Sequence, residues 1–107
     1  MKSDPNQAIP SEISADLRTA LAFHRDGKLD DAVRIYQSAL RRAPGNALVL
    51  LSLGAALLGL GRTRDSVTPL EAALAARPDH PDTCFTLAEA YRSEGRIEEA
   101  YVAAKTG

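Results

Sequence analysis

His80 and Cys84 stand four residues apart near a helix start, where a thiol's pKa can fall and a Cys–His pair can form. Asp82 lies between them and disfavours a thiolate, and Cys84 keeps the apolar phase of its helix, so a structural cysteine is expected. Asp30 with Asp31 and Glu98 with Glu99 have the composition of acid–base pairs. Neighbours on a helix point about 100° apart, however, and both doublets fall in first turns, where carboxylates complement the helix dipole. His24 and His80 have no further ligand at metal-binding spacing. Arg34, Arg41 and Arg42 are the densest basic cluster, but the last two close a helix, where cations suit the dipole. No glycine-rich loop follows a strand to cradle a nucleotide. The expectation is no catalysis, no metal and no cofactor.

The elements that position these residues follow from composition and spacing. The chain has 107 residues, enough for one small core. Hydrophobic residues make up 45% and charged residues 25%, as in folded soluble proteins, whereas aromatics are only 5% and Trp is absent. A core drawn mostly from Ala and Leu suits helix-on-helix packing better than a sandwich or barrel. The formal charge of -1 offers no footprint for nucleic acid. One cysteine excludes an internal disulfide framework. Asp4, Pro5, Pro10 and Glu12 interrupt the first residues, which speaks against a cleavable secretory signal and makes a cytoplasmic location the expectation. The longest apolar stretch, 47–60, is broken by Ser52, Gly54 and Gly59 and falls short of the roughly 20 residues that span a bilayer. It reads as a buried helix, and no membrane partner is expected.

Punctuation residues recur every 34 positions: Gly27, Gly61 and Gly95, and Pro10, Pro44 and Pro78. Apolar and small residues keep the same phase, as in Ala20, Gly54 and Ala88, or Phe23, Leu57 and Tyr91, or Ala32, Ser66 and Ala100. Leu50, Leu53, Gly54 and Leu57 lie at i, i+3, i+4 and i+7 on one helical face. Two helices fit each period, at 12–26 and 29–42, 46–60 and 63–76, 80–94 and 97–105. The glycines end the first helix of each pair, where a positive φ is often needed, and Pro44 and Pro78 stop the second. Ser11, Asn46, Thr63 and Asp79 are the expected N-caps, with Pro81 in a first turn.

The period and the pattern W-x2-L-G-x2-Y, then A-x3-F, then P, resemble the tetratricopeptide repeat. The second repeat carries it best, as Leu50-x2-Leu53-Gly54-x2-Leu57, Ser66-x3-Leu70, Ala73 and Pro78. The first departs from it at Asp16 and Thr19, and the third runs from Cys84 through Leu87, Ala88 and Tyr91 to Ala100 and Ala104. The resemblance implies an all-α, right-handed superhelical solenoid of antiparallel helix pairs, two full repeats plus a shortened third. The expected organisation is a flexible leader at 1–10 and a repeat domain at 11–107, with repeats at 13–46, 47–80 and 81–107. Pro5 argues against an earlier repeat, and the third repeat halts at Gly107 without its closing Pro or a capping helix. Either the chain is a segment of a longer protein or another chain covers that end.

In this family the first helices line the concave side, so the resemblance makes their non-core stripe the candidate binding surface. It comprises Ser14, Leu17, Leu21 and His24, then Leu48, Leu51, Ala55 and Leu58, then Asp82, Phe85, Glu89 and Arg92. The groove is apolar in its middle and charged on its third-repeat side, which suits a peptide or helix of a partner protein held by apolar anchors and oriented by Glu89 and Arg92. Some leucines of the stripe could instead be interhelix core. Some family members bind acidic chaperone tails through a carboxylate clamp. Its positions here hold Leu17, Leu21, Ser52, Asp82 and Thr86, none of them basic, which excludes that ligand class. The expected function is thus a non-catalytic interaction module. The alternatives are a substrate-recruiting arm of a larger enzyme, such as a glycosyltransferase or sulfotransferase, and a self-associating subunit. The latter would be a homodimer joined through the uncapped C-terminal end by Ala100, Val102 and Ala103.

Overall fold

The computed structural model describes residues 11–106; the expected leader at 1–10 lies outside them. Six helices follow one another: α1 (Ser11–Arg25), α2 (Leu29–Arg42), α3 (Ala47–Gly59), α4 (Thr63–Ala76), α5 (Pro81–Ser93) and α6 (Ile97–Thr106). Their ends fall within a residue or so of the spans read from the sequence, because the punctuation acts through local geometry. Gly27, Gly61 and Gly95 have φ of 80°, 78° and 77°, a left-handed conformation that side chains with a Cβ adopt only with strain. At each, two backbone bonds close the helix: Gly27 N–H to His24 C=O and Lys28 N–H to Phe23 C=O, repeated by Gly61 and Arg62 and by Gly95 and Arg96. This is the Schellman arrangement.

The starts are less uniform. Asn46 caps α3, its side-chain oxygen accepting from the Val49 N–H at 3.1 Å. Thr63 and Asp79 do not cap: α4 is preceded by Arg62 and α5 by His80, neither giving a side-chain cap bond, and Thr63 is already the first helical residue. Pro81 opens α5, where its missing N–H costs nothing.

The helices pair as α1 on α2, α3 on α4 and α5 on α6, and successive pairs join through α2 on α3 and α4 on α5. Two core clusters result. The first gathers Ile13, Leu17, Ala20, Val33, Tyr36, Val49, Leu53 and Leu57 from α1, α2 and α3; the second gathers Val67, Leu70, Leu87, Ala88, Tyr91, Ala100 and Ala103 from α4, α5 and α6. Ala100 and Ala103, expected on an exposed dimer face, are therefore core, because α6 turns them onto α5; only Val102 of that trio faces out. The molecule is 19 Å across its thinnest axis, about two helix diameters.

Two positions strain against this packing. A Cβ at Gly54 would overlap the fully buried Leu70, so the closest approach of α3 to α4 needs glycine there. Pro69 sits inside α4, where it removes the N–H that the Asp65 carbonyl would receive. Gly54→Ala is expected to lower stability by about 1 kcal/mol, an overpacking cost of about 1–3 kcal/mol less a helix-propensity gain of about 1 kcal/mol. Pro69→Ala is expected to raise it by up to about 3 kcal/mol. Urea-unfolding midpoints of both variants against the parent check the two signs.

Candidate functional site

Among the first helices of the pairs, α3 packs on α5. On these first helices Leu21, Leu48 and Phe85 are 44%, 41% and 65% exposed, large for apolar side chains. Asp82, Glu89 and Arg92 are exposed beside Phe85 on α5. Leu58 and Glu89 meet, with Ala55, Thr86 and Ser93, in a cleft of about 320 Å3 between α3 and α5.

Other members of the expected stripe are not available to a ligand. Leu17 is 2% exposed and belongs to the first core cluster, a correction to its place in the groove. The helix turns Leu17 inward, with Ile13 and Ala20, onto the core residues of α2 and α3. Leu51 and Leu58 are half-buried and pack against the second cluster, so the middle of the stripe partly serves the joint between pairs. His24 is held by the core: its Nδ1 lies 3.1 Å from the Tyr36 hydroxyl, and the two rings meet edge to face. Of the five clamp positions, Leu17 and Ser52 are buried.

The remaining chemical candidates have structural partners. Cys84 is 1% exposed, with Sγ 4.0 Å from the Pro78 carbonyl, and His80 Nδ1 bonds Thr83 Oγ1 at 3.2 Å rather than the thiol. Asp31 accepts from Arg34 at 2.6 Å and Glu99 from Arg96 at 2.6 Å. Arg42 reaches across to Asp16 at 2.9 Å, joining α2 to α1. Among the described residues no group of His, Cys, Asp and Glu could hold a metal ion, and no helix is long and apolar enough to cross a membrane.

One feature escaped the sequence reading. On the outer side, a cleft of about 280 Å3 opens between α4 and α6, floored by Leu87 and Tyr91 of α5 and walled by Leu74, Val102 and Ala103, with Glu98 and Glu99 at its edge. The Tyr91 hydroxyl donates to Glu71 Oε2 at 2.5 Å, and the Arg96 guanidinium lies over the Tyr91 ring at 4.5 Å. Three helices contribute to it, so no single periodicity reveals it.

Comparison with known proteins fits this architecture. The sequence profile of the bacterial transcriptional activator domain family matches residues 2–103. The chain is similar to the cytochrome c-type biogenesis protein CycH of Rhizobium meliloti (strain 1021), 35% identical over 88 residues, covering 76% of this chain and 22% of that protein. Among solved structures it is similar to MamA (AMB-1), with a TM-score of 0.81 at 29% identity over 88% of this chain and 51% of MamA. It also resembles the Yersinia enterocolitica type III secretion translocator chaperone SycD in an alternative dimer, with a TM-score of 0.85 at 20% identity over 94% of this chain and 76% of SycD. The first TPR of Spaghetti (RPAP3), bound to the HSP90 peptide SRMEEVD, superposes with a TM-score of 0.87 at 15% identity over 92% of this chain and 79% of that one. The fold is that of tetratricopeptide repeats. The chain spans about a fifth of the length of CycH and about half that of MamA.

Burial, then the hydrogen bond and negative charge of Glu71, push the Tyr91 phenol from 10.0 up to about 12, and burial also raises Tyr36. A raised phenol pKa favours the folded state only while the phenol stays protonated. Its contribution is complete below pH 10, where the unfolded phenol is also neutral, and is lost as pH rises towards 12. Stability is expected to fall between these pH values, and Tyr91→Phe to flatten that fall, in urea midpoints measured from pH 9 upward.

Proposed function

Because the chain belongs to the bacterial transcriptional activator domain family and carries the tetratricopeptide-repeat fold, we propose that it is a non-catalytic protein-interaction module whose inner face takes an extended or helical segment of a partner protein. The observation that carries this reading is the exposure of Leu21, Leu48 and Phe85 on the first helices of the three pairs, with Asp82, Glu89 and Arg92 exposed on the helix of Phe85. Apolar anchors with a charged border suit a segment gripped by side chains and aligned by charge. The peptide carried by RPAP3 supports a peptide as the kind of ligand. The family's description favours a partner in transcriptional activation.

Two further readings have an observation each. The chain covers 22% of CycH and 51% of MamA, which favours a recruiting arm within a longer protein. Tyr101 and Val102 stand 64% and 61% exposed on α6, and SycD forms a dimer, which favours self-association at that end. A solution mass that rises with concentration would favour the second of these.

Leu51→Asp is a poor probe of the inner face, since it would place a charge against the core. Leu48→Asp with Phe85→Glu alters exposed side chains instead. The double variant is expected to keep its helical circular dichroism and to lose at least tenfold in retention of partners captured from host lysate. Equal retention would sink the inner-face reading. The peptide SRMEEVD is expected to show no saturable binding by fluorescence anisotropy, since no clamp position is basic.

A further inference from the structure

We infer that the outer cleft between α4 and α6 is a second docking site, for a basic segment of a partner protein that inserts one bulky apolar side chain. The proposal is independent of the inner face. At about 280 Å3 the cleft lies just below the usual range of small-molecule pockets, about 300–1,000 Å3, and suits a side-chain anchor.

The 34-residue register supplies an internal control. The equivalent step one repeat earlier places Leu40, Leu53 and Leu57 where this cleft has Leu74, Leu87 and Tyr91, so the apolar floor is common to both. The walls differ. Arg64, Asp65 and Thr68 occupy the positions of Glu98, Glu99 and Val102. A charge-balanced, polar edge has become acidic and apolar.

Val102 is not exposed merely because α6 is the last described helix. Arg64, at the register of Glu98, has a side chain 92% exposed and Thr68 is exposed too, although α5 and α6 follow them. Tyr101 behaves differently: its equivalents Val33 and Val67 are buried by the next pair. The outer register stays open along the stack, and Val102 sets apolar surface there where Thr68 and Arg34 are polar.

Charge selects that partner. Glu98 and Glu99 line the cleft and Glu71 accepts from its Tyr91, whereas Arg96 is engaged by Glu99 at 2.6 Å and by the Tyr91 ring, and Lys105, three residues after Val102, lies over the Tyr101 ring. The surplus is negative, and Glu71 adds to the rise that burial imposes on the Tyr91 phenol. Lys or Arg residues flanking an apolar anchor would meet Glu71 and Glu98.

Random twelve-residue peptides displayed on phage, selected on the whole chain and counter-selected on Val102→Lys, test this. The expected outcome is enrichment of sequences with one large apolar residue between basic ones. Their synthetic versions should bind Val102→Lys and Glu98→Lys at least tenfold more weakly and Leu48→Asp/Phe85→Glu unchanged, with all variants equally helical. Enrichment of acidic or uncharged sequences, basic sequences without an apolar anchor, loss of binding in the inner-face variant, or no sequence that separates parent from Val102→Lys would each overturn the proposal. So would concentration-dependent association of the chain alone that Val102→Lys abolishes, which would assign the cleft to a second copy.

Discussion

The chain reverses direction at Gly27, Gly61 and Gly95 through a backbone conformation near φ +80°, and this reversal decides which face of each second helix meets the first. One residue separates the reversal from the next helix, so the pair has little freedom in its crossing. Repeating the turn every 34 residues repeats the crossing, and a stack follows. Even the contact that accompanies such a turn recurs in altered form: at Gly95 the residue after the glycine, Arg96, lies over Tyr91, the ring of the last helical turn. The same Tyr91 floors the outer cleft, so the turn that builds the third pair also shapes its surface.

A stack two helices thick has two broad sides, and the chain spends its side chains on them unequally. The first helices carry three large exposed apolar residues, Leu21, Leu48 and Phe85, while the half-buried Leu51 and Leu58 pack against the second core cluster. Surface ion pairs such as Arg34 with Asp31 and Arg62 with Asp65 recur near the starts of the second helices and contribute little to stability individually. They occupy one carboxylate of each acidic doublet, Asp31 and Glu99.

Helix positions were legible in the sequence because glycine and proline act within a few residues of themselves. Caps were less so: Asn46 caps as read, but His80 rather than Asp79 precedes α5, since a cap depends on the first residue's dihedral angles and not on residue type alone. Pro69 gave no warning either, as packing on both sides of α4 holds a helix that local preference would break. Burial was the least legible property. Leu17 and Leu21 share a helix, yet one is core and the other open, because what covers them comes from α2 and α3. The outer cleft needed three helices to form, and its one signal was the change from Arg64 and Thr68 to Glu98 and Val102 at the same register.

Each helix packs chiefly on the helix before and the helix after it, with α3 on α5 a smaller and longer-range contact. A structure of this kind can be assembled in the order in which it is synthesised. When α2 leaves the ribosome its partner α1 already exists, and α3 finds a finished surface waiting. No helix must stay exposed until the far end of the chain arrives, as the first strand of a closed barrel does. The nascent chain therefore hides its apolar stripes one hairpin at a time, and the surface most exposed during synthesis is always the newest.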